Sequence, residues 1–189
     1  MNVTLTPGAR SGQIRIPASK SQAHRLLICA ALGDAPVRLR LDGRWKDIDA
    51  TIGCRRALGA EIACADGLLE IAPIRQSMSG ERTLSCGESG STLRFFLPLG
   101  ANLNCPLTFT GHGKLVSRPL QAYYDIFDEK FIQYFNDNGN LPVTVNGRLT
   151  PGTYKLPGDV SSQFVSGLLF VLPLLNGDSV IEITSPLES

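Results

Sequence analysis

The sequence predicts an α/β (α+β) fold assembled from repeated β-α-β-α-β-β units, and three observations carry that prediction. Short alternating apolar runs of strand length are interleaved with longer runs whose apolar residues recur at helical spacing. Serine-rich turns recur at near-constant intervals, with Ser19 and Ser89 70 residues apart and Ser89 and Ser161 72 apart. Asp47 and Ser117, at the second helix of the first two units, are again 70 apart. A repeated unit fixes the architecture before any single motif does. The chain's 189 residues, 43% of them hydrophobic, suffice for a sizeable core.

In the first unit, Gln13 to Ile16 reads as a short strand and Pro17-Ala18-Ser19-Lys20-Ser21 as a turn. Leu26, Leu27, Ala30 and Ala31 then line a helix closed at Gly33. Strand Val37 to Leu41 follows, then a helix opened by Asp47 or Asp49 and closed at Gly59. Strands Glu61 to Ala65 and Leu68 to Ile71, hinged at Asp66-Gly67, complete the unit.

The second unit repeats the order. Strand Thr83 to Cys86, turn Gly87-Glu88-Ser89-Gly90-Ser91 and helix Thr92 to Leu99 lead to strand Leu107 to Thr110 and helix Arg118 to Phe127. Strands Ile132 to Phe135 and Val143 to Val145 flank a hairpin tip at Asn136 to Asn140. In the third, Asp159-Val160-Ser161-Ser162-Gln163 opens a helix reaching about Leu175, with Val165, Leu168, Leu169, Val171 and Leu172 as core. A turn at Asn176-Gly177-Asp178 and a strand Val180 to Thr184 come next, and the rest of that unit is expected beyond residue 189. The units span residues 13–75, 82–156 and, incompletely, 157–189.

Eighteen basic and seventeen acidic residues give a formal charge of +1, with no block of like charge, so nucleic acid is not an expected partner. The five cysteines (Cys29, Cys54, Cys64, Cys86, Cys105) are odd in number and never spaced as CxxC, which argues against a disulfide framework or zinc site and fits a reducing cytoplasm. The N-terminal MNVTLTPGARSG lacks a signal peptide's apolar stretch, and no run approaches the ~18 apolar residues of a membrane span.

Each serine-rich turn places hydroxyls or glycine at a helix N-terminus, where free N–H groups and the positive end of the dipole attract anions. Lys20, Ser21 and Arg25 can converge on one dianion, since Arg25 follows Ser21 by one turn. Gly90 would let a ligand approach the backbone, with Arg94 behind it. Arg118-Pro119 reads as the opening of the second unit's second helix. Ser161, Ser162 and Gln163 offer two hydroxyls and an amide. For the turns around Ser89 and Ser161, capping alone is an equal explanation, as is a plain surface arginine at Arg118. His24 and His112 have no triad partners and read as structural, and Trp45 reads as packing.

PASKSQAHR (Pro17 to Arg25), GESGSTLR (Gly87 to Arg94), VSRPL (Val116 to Leu120) and GDVSSQF (Gly158 to Phe164) together resemble the ordered motif series of the EPSP synthases. The resemblance implies the N-terminal portion of a cytoplasmic, monomeric two-domain enolpyruvyl transferase whose domains face each other across a cleft. Residues 13–189 would be most of the N-terminal domain, and residues 1–12 would pack with a C-terminal domain outside this chain. No metal or organic cofactor and no membrane partner are implied. The implied reaction moves the enolpyruvyl group of phosphoenolpyruvate to the 5-hydroxyl of shikimate 3-phosphate.

By the same resemblance, Lys20 is the catalytic lysine that touches both substrates. Ser21, Arg25, Ser161, Ser162, Gln163 and Ser189 are carried over to shikimate 3-phosphate, and Gly90, Arg118 and Gln163 to phosphoenolpyruvate. The aspartate and glutamate that transfer protons belong to the other half, so these residues alone are expected to be inactive. Glu88 and Phe95 depart from the usual motif, which more often has Asn and Pro there. The related transferase acting on UDP-N-acetylglucosamine is disfavoured, because Lys20-Ser21 replaces its Lys-Asn pair and Cys105 lies ahead of a strand rather than in a reactive loop. A non-catalytic anion-binding remnant is the alternative from another class.

Overall fold

The structure, a computed structural model, describes residues 3–4, 6–14, 16–41, 43, 45–74 and 80–186. The repeat is visible in its element order. The first unit contains α1 (Lys20–Leu32), β1 (Val37–Arg40), α2 (Lys46–Ala57), β2 (Ile62–Ala65) and β3 (Leu68–Ile71). The second contains β4 (Arg82–Ser85), α3 (Gly90–Gly100), β5 (Leu107–Thr110), α4 (Gln121–Glu129), β6 (Gln133–Asp137) and β7 (Asn140–Asn146). The third contains β8 (Gly152–Leu156), α5 (Ser162–Val171) and β9 (Ser179–Ile183).

Sheet topology shows the same plan at three stages of completion. In the second unit the order is β4-β5-β7-β6, with β4 parallel to β5 and the other two pairings antiparallel. The first unit has the antiparallel part, β1-β3-β2, and the third has the parallel pair, β8-β9. The β2–β3 hairpin turns at Asp66 and Gly67, φ 49° and 76°, and the β6–β7 hairpin at Asn138 and Gly139, φ 50° and 85°. Two adjacent left-handed residues match the twist of the flanking strands, and Asn, Asp and Gly tolerate them.

Several expectations need correction. Gln13 to Ile16 forms no strand: its described residues are coil, with Ile14 86% and Ile16 77% exposed. With neither isoleucine buried, nothing offsets the entropy of ordering four residues. β8 was not expected, and it places the start of the third β-α-β series at Gly152 rather than 157. Its partner among the described residues, β9, lies more than twenty residues on, so no local hairpin signal marks it. Asp47 and Asp49 lie inside the first turn of α2, whose cap position is Trp45. Leu26 and Leu169 are exposed, since each sits off the buried face of its helix. Arg118 and Pro119 precede α4, which begins at Gln121 after a short 3-10 turn at Gly113–Leu115.

The core has two parts. Ala23, Leu27, Ala30 and Ala31 of α1 pack with Ile48 of α2 and with Ile62, Leu69 and Ile71 of the first sheet, where half-buried Trp45 also packs. The larger part centres on α3, whose Leu93, Phe95, Phe96, Leu97 and Leu99 are all buried. A helix apolar on every side belongs at the centre of a domain, and α3 is wrapped by α5, α2 and the second sheet. No helix among the described residues is long and apolar enough to cross a membrane.

Candidate functional site

The three serine-rich turns become three helix caps. Ser19 Oγ accepts from Gln22 N (3.3 Å), Ser89 Oγ from Thr92 N (3.2 Å) and Ser161 Oγ from Gln163 N (3.3 Å). Each hydroxyl thereby satisfies one of the N–H groups that a helix start leaves open. Capping uses the oxygen as acceptor, so the Ser161 hydroxyl proton can still be donated to a ligand. Ser162 is the exposed first residue of α5.

Around these caps the predicted residues meet. Arg25 donates to the Ser21 carbonyl (3.0 Å), to Ser21 Oγ, and across to Ser166 Oγ of α5 (3.0 Å), with its guanidinium over the Phe95 ring at 5.2 Å. Phe95, a departure from the motif, is therefore the platform for Arg25. Gln163 accepts from Arg94 Nη1 (3.0 Å) and donates to Ser91 Oγ (2.8 Å), joining the starts of α3 and α5. Arg94 also lies over the Phe164 ring at 4.9 Å. Lys20 Nζ is 2.7 Å from Asp47 Oδ2, in the first turn of α2.

Gly90 and Arg118, assigned separately to one substrate, are in contact. A Cβ at Gly90 would lie 2.5 Å from Arg118 Nη1. The glycine thus makes room for the guanidinium, in addition to whatever ligand lies beyond it. The Glu88 carboxylate lies against Gly113 (φ 60°), where a Cβ would collide with it. Ser189 lies outside the described residues.

Positive charge is concentrated around the start of α3. Burial, and after it the nearby positive charge of Arg118, disfavour the charged form of Arg94. Among the described residues, Lys20 alone of Lys20, Arg25, Arg94 and Arg118 pairs with a carboxylate. Guanidiniums so placed stay charged in water, and an anion between them relieves their repulsion.

Two supports of the site were not legible in sequence. Pro98 stands inside α3 and has no N–H for the carbonyl of Arg94 four residues earlier. The Tyr123 hydroxyl from α4 supplies that hydrogen bond at 2.7 Å, with the Phe164 carbonyl 3.0 Å from the same oxygen. Tyr123 is fully buried, and burial holds its phenol well above the usual tyrosine range, so it remains a donor. The proline is the signal that could have pointed here.

The second support is a buried polar chain. His24 Nδ1 meets Thr51 Oγ1 (2.7 Å), Thr51 Oγ1 meets Thr92 Oγ1 (2.8 Å), and Thr92 Oγ1 donates to Ser89 Oγ (2.7 Å). It ties α1, α2 and the start of α3 together. Burial first, and the positive charges of Lys20 and Arg25 besides, lower the His24 pKa from 6.5 to about 4, against the opposing pull of Asp47. Between pH 6.5 and 4 the unfolded chain therefore binds a proton that the folded chain refuses, and stability falls as pH falls through that window. The full effect is about 3 kcal/mol. Urea unfolding should show the advantage of the parent over His24→Asn shrinking from pH 7 to pH 4; a constant difference would refute the assignment.

The chain is thus a repeated α/β protein with three serine-capped helix starts, the first two of which lead into helices that carry Lys20, Arg25 and Arg94. Residues 5–189 match the family model of EPSP synthase (3-phosphoshikimate 1-carboxyvinyltransferase). Among curated relatives, the 3-phosphoshikimate 1-carboxyvinyltransferase of Clostridium kluyveri is 48% identical over 187 residues, covering 99% of this chain and 44% of the relative. That of Clostridium beijerinckii is 45% identical over 195 residues, covering 100% and 45%. The EPSP synthase structure from Acinetobacter baumannii superposes with a TM-score of 0.79 at 22% identity, over 94% of this chain and 41% of that one. The chain belongs to the EPSP synthase family. It spans less than half the length of these relatives.

Proposed function

We propose that these residues form one wall of an active site that transfers the enolpyruvyl group of phosphoenolpyruvate to the 5-hydroxyl of shikimate 3-phosphate. The 5-hydroxyl gives up its proton to a base as its oxygen bonds to C2 of phosphoenolpyruvate, while the methylene carbon takes up a proton from an acid. The resulting tetrahedral adduct then loses a methyl proton and phosphate, and the double bond is restored. The observation that supports this reading is the positive charge gathered on α3, with Arg94 and Arg118 near each other, Gly90 against Arg118, Arg25 over the Phe95 ring, and Lys20 paired with Asp47, whose carbonyl accepts from Thr92. Two phosphates and a carboxylate need that many preorganised donors at the reacting centre.

In this scheme Ser21, Arg25, Ser161 and Ser162 hold shikimate 3-phosphate, Gly90 and Arg118 hold phosphoenolpyruvate, and Lys20 and Gln163 stand between. The carboxylates that move protons come from the other part of the relatives' length, across a cleft, and residues 1–12 pack with that other part. The 189 residues by themselves are then expected to bind without turnover.

Amide shifts on titration with shikimate 3-phosphate test the scheme, with movement expected at Ser21, Arg25 and Ser161. A folded chain that shows none at millimolar ligand overturns it. Gly90→Ala, which pushes Arg118 aside at little cost to folding, should weaken phosphoenolpyruvate about tenfold and leave shikimate 3-phosphate nearly unchanged.

A further inference from the structure

A neutral imidazole carries one N–H, and a hydroxyl has one proton to give. These limits set the direction of the buried polar chain beneath the start of α3. Thr92 Oγ1 donates to Ser89 Oγ at 2.7 Å, with the Asp47 carbonyl a more distant acceptor at 3.4 Å. With its proton so committed, Thr92 accepts from Thr51 at 2.8 Å. Thr51, having donated, must accept from His24 Nδ1 at 2.7 Å. The other ring nitrogen leads independently to the same tautomer. His24 Nε2 is buried without a hydrogen-bond partner among the described residues, so a proton there would be a donor with nothing to receive it.

The chain ends on the two residues that close the first turn of α3. Ser89 Oγ takes both the Thr92 N–H, at 3.2 Å, and the Thr92 hydroxyl. Gly90 and Ser91 lie inside the turn closed in this way. Gly90 is the residue that makes room for Arg118, and Ser91 accepts from Gln163 at 2.8 Å. A glycine has no side chain to anchor it and is the freest residue of the backbone, so the place of Gly90 is set by Ser89 and Thr92. Helix capping needs the N–H bond alone. The hydroxyl bonds go beyond it, and they join residues that are at most 1% exposed.

We infer that Thr92 is a positioning residue for the phosphoenolpyruvate side of the site: its hydroxyl, oriented by His24 Nδ1–H through Thr51, holds Gly90 where Arg118 meets it. This role rests on the transferase reading above, in which none of His24, Thr51 and Thr92 touches a substrate.

Phosphoenolpyruvate and shikimate 3-phosphate are titrated separately into the 189-residue chain and read from amide shifts. Thr92→Val, which keeps the shape and removes the hydroxyl, should weaken phosphoenolpyruvate about tenfold and shikimate 3-phosphate by less than about twofold. Thr92→Ser should restore the loss. A hydroxyl that serves folding alone would change both ligands alike or neither, and either result, or a loss that serine does not restore, overturns the inference. Gly90→Ala tells its failure from that of the transferase reading. If Gly90→Ala weakens phosphoenolpyruvate and Thr92→Val does not, only the positioning role falls. If the parent does not bind phosphoenolpyruvate, or Gly90→Ala leaves its binding unchanged, both fall. Should Thr92→Val not fold, Thr51→Val, which takes away the donor to the Thr92 hydroxyl, is expected to show the same split between ligands and decides by the same outcomes. The imidazole nitrogen NMR spectrum of the parent at neutral pH adds a test that needs no variant: a proton on His24 Nδ1 is expected, and a proton on Nε2 reverses the chain and removes the role.

Discussion

Gly167→Ala is expected to destabilise the chain by about 3 to 5 kcal/mol, against the usual preference of helices for alanine. Gly167 lies in α5 where it crosses α3, and a Cβ there would collide with the Tyr123 hydroxyl and the Arg94 carbonyl, with Pro98 Cγ at 3.2 Å. The Arg94 carbonyl is backbone and cannot swing away. The Tyr123 hydroxyl can, but only by abandoning the carbonyl that Pro98 leaves without its helical donor, and a buried unpaired carbonyl costs about 1 to 3 kcal/mol on top of the overpacking. Gly53, exposed in α2 with nothing within 4 Å of its would-be Cβ, is the matched control. Gly53→Ala should stabilise by about 0.5 to 1 kcal/mol. Thermal unfolding of the two variants should therefore move in opposite directions, with Gly167→Ala lower by roughly 10 °C. A neutral or raised midpoint for Gly167→Ala would mean that α3 and α5 are not so closely packed.

The contrast shows what sequence can and cannot reveal. Turns that depend on adjacent residues were legible: Asp66-Gly67 and Asn138-Gly139 adopt the positive φ that their types favour, and Ser19, Ser89 and Ser161 cap the helices they precede. Features that depend on distant partners were not. β8 is a strand because β9 pairs with it, and Gln13, Ile14 and Ile16 are coil because the two isoleucines find no cover. Several residues singled out in the sequence do touch others at the helix starts, since a repeat that fixes helix order also fixes which ends face together. Their connections, Gln163 to Ser91, Arg25 to Ser166 and Arg118 to Gly90, link residues 28 to 141 positions apart. No local pattern signals such pairs.

In the proposed scheme function and folding draw on the same cap residues. Ser161 Oγ accepts from the backbone, so its alanine variant would lose a cap worth about 1 kcal/mol as well as a ligand contact. Binding losses at such positions need a stability measurement beside them. Lys20 is freer of this ambiguity, because its ammonium meets Asp47 where both side chains are substantially exposed, 49% and 30%. Exposed pairs of this kind add little to stability.

Lys20→Ala should accordingly leave the unfolding midpoint nearly unchanged while weakening shikimate 3-phosphate binding to this chain about tenfold or more. In an enzyme of the relatives' full length, turnover should fall by about two to three orders of magnitude, the usual cost of removing one preorganised donor to developing charge. The ammonium sits in the first turn of α1, and the proposed scheme has this one charge serve both substrates. Asp47→Asn separates this role from simple pairing. It releases Lys20 from its carboxylate and should preserve binding, or tighten it, whereas a lysine needed only to neutralise Asp47 would make both variants equally harmless. Normal turnover in Lys20→Ala would remove Lys20 from the reaction.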